Sequence, residues 1–148
     1  MAVDYGSQTL TGAAQEEVLE AGAKIVQEHV RRRISENAKH ATGQLEAAIS
    51  YEIHPDTGRA PMGWEKNPIR DKGGKEKVSS YVDYNGRRRK VKTVADYGRI
   101  LEYSQRRQLR HMEQGFIDAE EAATSKMEAM CDALLDKAVE AQMSKAGL

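Results

Sequence analysis

A chain of 148 residues is about one ordinary domain in size and can bury one modest core. Hydrophobic residues at 39% and charged ones at 31% exclude a wholly disordered chain but require a heavily solvated surface, and no apolar run approaches the ~18 residues of a membrane span. A formal net charge of zero excludes a body that is basic all over.

The charge is nevertheless segregated. Residues 1–23 carry Asp4, Glu16, Glu17 and Glu20 and no Lys or Arg, residues 85–112 carry nine bases against two acids, and residues 113–140 carry eight acids against two lysines. A basic middle with acidic flanks can be matched within one chain or between identical neighbours placed head to tail. The single cysteine, Cys131, cannot form an intramolecular disulfide, and no N-terminal stretch has the order of a secretory signal, which points to synthesis in a reducing cytoplasm.

In chain order, residues 1–10 read as an N-terminal arm. Residues 11–34 read as a first helix capped by Thr11, with Val18, Gly22, Ile25 and His29 on one stripe, widened by Leu19, Val26 and Val30. Apolar periodicity fades after Ile34, so the helix is expected to end there. Thr42 then looks like the cap of a short helix carrying Leu45, Ala48 and Ile49, and Ile49, Tyr51 and Ile53 alternate with polar residues as in a half-buried strand.

Residues 54–77 hold all three prolines, Pro55, Pro61 and Pro68, with Gly58, Gly63, Gly73 and Gly74, which predicts a long flexible loop without regular structure. Trp64 within it either folds back over the core or inserts into a neighbouring subunit as an interface anchor. Asn85-Gly86 between two β-rich runs predicts a hairpin of strands 78–84 and 87–94, joined by a two-residue turn with both residues at positive φ. The returning strand opens Arg87-Arg88-Arg89-Lys90, four cations that must stand in water or against something negative. Val94–Tyr103 reads as a short helix with Val94, Tyr97 and Leu101 on one stripe. A last helix from about Ile117 to Lys145 places Phe116, Ala119, Ala123, Met127, Met130, Leu134, Ala138 and Ala141 along its seam.

Motifs for chemistry are weak. His29, His40, His54 and His111 fall in different elements without metal-ligand spacing, the Glu36 and His40 pair reads as a surface pair, and Cys131 has no adjacent histidine to activate it. Asp71-Lys72-Gly73-Gly74-Lys75 lacks the spacing of a phosphate loop. No enzyme, metal or cofactor is expected. Arg31-Arg32-Arg33 suits a helix C-terminus, where cations complement the macrodipole. The larger basic stretch, Arg87 to Arg110 with Arg106 and Arg107, is either a solvated face matched by the acidic last helix or a salt-sensitive, sequence-independent phosphate surface.

The order of segments resembles a family. Thr42-Gly43-Gln44-Leu45 leading into Ile49, a flexible loop, a hairpin, a short helix with Tyr97 that closes on Glu102-Tyr103, and Phe116-Ile117 opening a final helix are similar to the head-tail joining proteins of long-tailed double-stranded DNA bacteriophages, called neck, tail-completion or minor tail proteins. Ser104 and Gly115 depart from the Gly and Pro usual in that family. The resemblance covers residues 11–145 and implies one domain of α+β class, with long N- and C-terminal helices packed on a small, mainly antiparallel sheet. It further implies a virion protein in a homo-oligomeric, hexameric ring at the head-proximal tail end. Its partners would be head-closure and tail-terminator proteins, with possible contact to packaged DNA and none to membrane. The candidate assembly or DNA-facing residues are Trp64, Arg87, Arg88, Arg89, Lys90, Arg106, Arg107 and Arg110. The alternative is a small non-specific nucleic-acid-binding protein using residues 85–110.

Overall fold

The computed structural model describes residues 4–5, 8–9, 12–37, 43–83, 85–103 and 110–147. The elements run β1 (Asp4–Tyr5), β2 (Gln8–Thr9), α1 (Gly12–Asn37), α2 (Gln44–Ala47), β3 (Ile49–Tyr51), β4 (Met62–Trp64), β5 (Ser79–Val82), β6 (Arg88–Val91), α3 (Val94–Tyr103) and α4 (His111–Lys145). The class is α+β, as expected, with a long helix at each end. The strands form separate pairs, β1 with β2, β3 with β4 and β5 with β6, so the small sheet is divided into two-stranded ribbons. Two compact units emerge: the described residues of 1–26, 51–61 and 119–148, and those of 27–50 and 62–118.

In the first unit, Gln15, Val18, Gly22 and Ala23 of α1 are buried, as are Ala119 and Ala123 of α4. Their spacing puts each set on one helical stripe. Gly22 lies so close to Met127 that a side chain there would overlap the thioether sulfur. Farther along α4, Met127, Met130, Cys131, Leu134, Leu135 and Ala138 are half-buried, while Ala141 is exposed and falls off the expected seam. The helix closes with Gly147 at φ 71°, the left-handed residue that commonly ends an α-helix. β1 and β2 pair antiparallel within the expected N-terminal arm.

The second unit has the denser core: Val30, Ile34, Leu45, Ala48, Ile49, Val91, Val94, Ala95 and Leu101 are all buried. The α1 helix continues to Asn37, past the expected end at Ile34. At α2, Gly43 adopts φ 80°, and the expected Thr42 cap lies outside the described residues. Thr93 starts α3 by accepting the Asp96 N–H on its hydroxyl at 3.2 Å. The buried stripe of α3 is Val94, Ala95, Gly98, Leu101 and Glu102, whereas Tyr97 is exposed. Trp64 settles over Gly98, where an added Cβ would stand 2.5 Å from the indole.

The last helix begins six residues before its expected start at Ile117. Two contacts account for the difference. The Glu102 carboxylate, itself buried, accepts the N–H groups of Met112 at 2.9 Å and Glu113 at 3.1 Å, two of the amides that a helix start leaves unpaired. Gly115, two residues before the expected start, lies directly on the backbone of α1, and a Cβ there would meet the Val30 Cα at 2.7 Å. Close packing outweighs the roughly 1 kcal/mol helix penalty of glycine. Consequently the buried stripe of α4 starts His111, Gly115 and Ala119, and Phe116, one residue round the helix, is 45% exposed.

The stretch from 54 to 77 is threaded by backbone hydrogen bonds. His54 and Arg59 pair across a turn with Gly58 at φ 65°, Glu65 donates to Ala48, and Asp71 pairs with Lys75. Asn67 and Ile69 bond to the chain at Val94 and Lys92, and Lys77 donates to Ile69. Prolines and glycines forbid a long strand here, but short bridges still satisfy the backbone groups.

Gly115 supplies a stability test. Gly115→Ala should cost about 1–3 kcal/mol in urea unfolding through overpacking, while Gly63→Ala, with open space around its Cα, should be near neutral. His111 supplies a second. Its imidazole is 2% exposed with neither ring nitrogen hydrogen-bonded, so burial lowers its pKa, the nearby Glu102 opposing this in part. A histidine whose folded pKa is depressed binds its proton more readily unfolded, so stability should fall as pH drops below about 6.5. His111→Leu should flatten that part of the pH profile in thermal melts; an unchanged slope would assign the acid sensitivity elsewhere.

Candidate assembly surface

The β5–β6 ribbon is organised by one side chain. Asp83 accepts the N–H of Asn85 at 3.0 Å and of Arg87 at 2.9 Å on Oδ1, and the Arg89 guanidinium at 3.0 Å on Oδ2. Asp83 and Arg87 also bond through the backbone, and Gly86 donates to the Asp83 carbonyl. Gly86 stands at φ 79°, while Asn85 is not left-handed. The turn is therefore closed by a single left-handed glycine, where the expectation was two successive residues at positive φ. The aspartate side chain fixes Asn85 in the ordinary region by bonding its amide. These bonds, first that from Arg87 and next that from Arg89, hold the Asp83 carboxyl below the usual range.

The strands pair Ser79 with Val91, Ser80 with Lys90, Tyr81 with Arg89 and Val82 with Arg88. Alternation then separates two faces. One carries Ser79, Tyr81, Arg89 and the buried Val91, which roots the ribbon in its unit. The other carries Ser80, Val82, Arg88 and Lys90, every one exposed, with Val82 at 65%. Among the described residues, Arg89 alone of the four expected cations has an ion-pair partner, Asp83.

The remaining expected residues are dispersed. Trp64 belongs to the packing against Gly98, with its indole N–H buried and unbonded, so within this unit it covers the core. Arg106 and Arg107 lie outside the described residues. Arg110, at φ 42°, immediately precedes α4 and pairs with Glu113 at 3.2 Å. Arg31 and Arg33 do more than balance a macrodipole: Arg31 donates to the carbonyls of Glu46 and Ile49, and Arg33 makes a two-pronged ion pair with Asp118, its second bond being 2.8 Å. That pair lowers the pKa of Asp118 and raises that of Arg33.

A second exposed surface lies on α4. Phe116 and Ile117, 45% and 58% exposed, are followed three and four residues on by the exposed Glu120 and Glu121. This spacing places Ile117, Glu120 and Glu121 on the side of the helix away from Gly115 and Ala119. Among the described residues, no cluster of three or more His, Cys, Asp or Glu side chains could hold a metal ion.

No protein-family model, curated protein or solved structure matches this chain. Asp83 and Glu102 escaped the sequence reading as structural determinants. An Asp two residues before Asn-Gly was an available signal for the first, whereas the second needed the return of the chain after residue 103.

Asp83 yields a pH prediction. A depressed carboxyl contributes stability above its unfolded pKa, about 3.9, and loses it as pH falls through the lower folded value. Protection of the Asn85 and Arg87 amides, relative to the unstructured rate at the same pH, should therefore fall below pH ~4, and Asp83→Asn should show fast exchange there already at neutral pH. Slow exchange in that variant would remove the carboxylate from the turn.

Proposed function

We propose that this chain is a structural subunit of a tailed-bacteriophage or prophage virion, part of the neck ring that completes the tail and joins it to the DNA-filled head. The observation that carries the reading is the β5–β6 ribbon, rooted through Val91 and otherwise displayed on both faces with Arg87, Arg88 and Lys90 exposed. A two-stranded ribbon gains little stability alone, and adjacent like charges repel. Both costs are offset when an acidic surface closes over it. The segment order from Thr42-Gly43-Gln44-Leu45 to Phe116-Ile117 supports the neck assignment, and the role needs binding surfaces without a catalytic centre.

In this role, copies of the chain stack side by side in a homo-oligomeric ring, hexameric by the symmetry of such tails, between head-closure and tail-terminator proteins. A second reading follows from the same ribbon: two strands fit the major groove of duplex DNA, and its cations would neutralise phosphates. Affinity of the isolated chain for duplex DNA that falls steeply with salt would favour that reading.

Removal of the chain from a phage that carries it decides the matter. Lysates should then accumulate filled heads and free tails, visible by electron microscopy, and supplying the chain in trans should restore joined particles that contain it. Normal yields of infectious particles without the chain would overturn the neck assignment.

A further inference from the structure

We propose that the solvent face of the β5–β6 ribbon, Val82, Arg88 and Lys90, docks on the outward side of α4 at Ile117, Glu120 and Glu121 of a second copy of this chain. This rests on the reading of the chain as an assembly subunit and names which two surfaces meet.

Both surfaces have the same unusual make-up with opposite charge. On the ribbon, an apolar Val82, 65% exposed, sits opposite Arg88 on the neighbouring strand, with Lys90 two residues on. On α4, Ile117 at 58% and Phe116 at 45% exposure precede Glu120 and Glu121 by about one helical turn. An exposed branched apolar side chain flanked by unpaired charge is poorly hydrated on its own. Matched with its complement, it gains apolar burial at the centre and charge pairing at the rim.

Duplex DNA is the less suitable occupant of this face, because Val82 offers nothing to a phosphate backbone and phosphate has no use for a valine. A second ribbon is excluded as occupant by repulsion between Arg88 and Lys90 of the two copies. Within the pair of surfaces, the ribbon of one copy meets the helix of the next, so the contact is heterologous and each copy both gives and receives. Arg89 and Glu113 are already engaged, with Asp83 and Arg110, and are left out of the docking set.

Charge exchange in the full-length chain is the test, read by sedimentation equilibrium with circular dichroism to confirm folding. The variant Arg88→Glu/Lys90→Glu has two acidic surfaces, and the variant Glu120→Lys/Glu121→Lys has two basic ones. Each alone should self-associate roughly tenfold or more weakly than the parent chain. Mixed in equal amounts, they should recover the parent assembly, since every contact then joins opposite charges, and that recovery also shows both variants to be folded. Self-association should weaken with added salt.

Three results would overturn the docking. The parent chain could sediment as a monomer at all concentrations, the variants could associate as the parent does, or the mixture could fail to recover. Loss of duplex DNA binding by the ribbon variant with unchanged self-association would assign the face to nucleic acid instead. None of these outcomes bears on whether particles form without the chain, so the neck reading stands or falls by its own experiment.

Discussion

The backbone of α4 can lie against the backbone of α1 at Val30 because residue 115 has no side chain, and much of the second unit is arranged by that approach. It brings the first turn of α4 down beside the end of α3, where the Glu102 carboxylate is buried and receives two amides of the new helix. It also sets the Asp118 carboxylate, one helical turn after Gly115, against the Arg33 guanidinium, one turn after Val30 on α1. A residue with any Cβ at 115 would lift α4 off α1 and loosen all three. Gly98 plays a similar part for Trp64, letting a large indole lie flat on α3. The core is thus built on two absent side chains as much as on its Val, Ile and Leu.

Helical periodicity made α1, α3 and α4 legible, and Asn85-Gly86 made the hairpin legible. What stayed hidden were the details that depend on partners distant in sequence. The first turn of α4 has little apolar pattern of its own, and its stabilising carboxylate belongs to another helix. Phe116 looked like a core residue because aromatic side chains usually are, yet Gly115 next to it holds the buried angle, and one residue along a helix is 100° of rotation. Tyr97 was misplaced on α3 for the same reason. In the hairpin, Asn-Gly located the turn, but the Asp83 side chain chose its geometry by bonding two amides at once. The cations on the ribbon could be read directly, since four in succession can only be exposed or paired; which of them is paired could not, because Arg89 finds Asp83 across the strand pair.

Charge and burial divide the two surfaces of interest from the rest of the molecule. The Arg33 and Asp118 pair and the Arg31 bonds to carbonyls are commitments internal to the second unit. Arg88, Lys90, Glu120 and Glu121 have no such commitments among the described residues; Arg88 stands opposite the exposed Val82, and Glu120 and Glu121 follow the exposed Ile117 by about one turn. Charge in the first group fixes the fold. In the second it is available for a partner, and surface pairing of that kind governs selectivity and encounter rate more than affinity.

Among the described residues β5 and β6 pair only with each other, which leaves the ribbon two bare edges. A bare edge offers a row of amides and carbonyls to any extended chain, which is how newly made proteins clump or seed fibrils. Consecutive cations along β6 guard against that fate: an incoming copy of the same strand would lay arginine on arginine before its first backbone bond could form. The sequence Arg87-Arg88-Arg89-Lys90 therefore opposes edge-to-edge pairing of one ribbon with another, and a neutralised version of this strand would be expected to fail first by precipitating on expression, before any question of its fold arose.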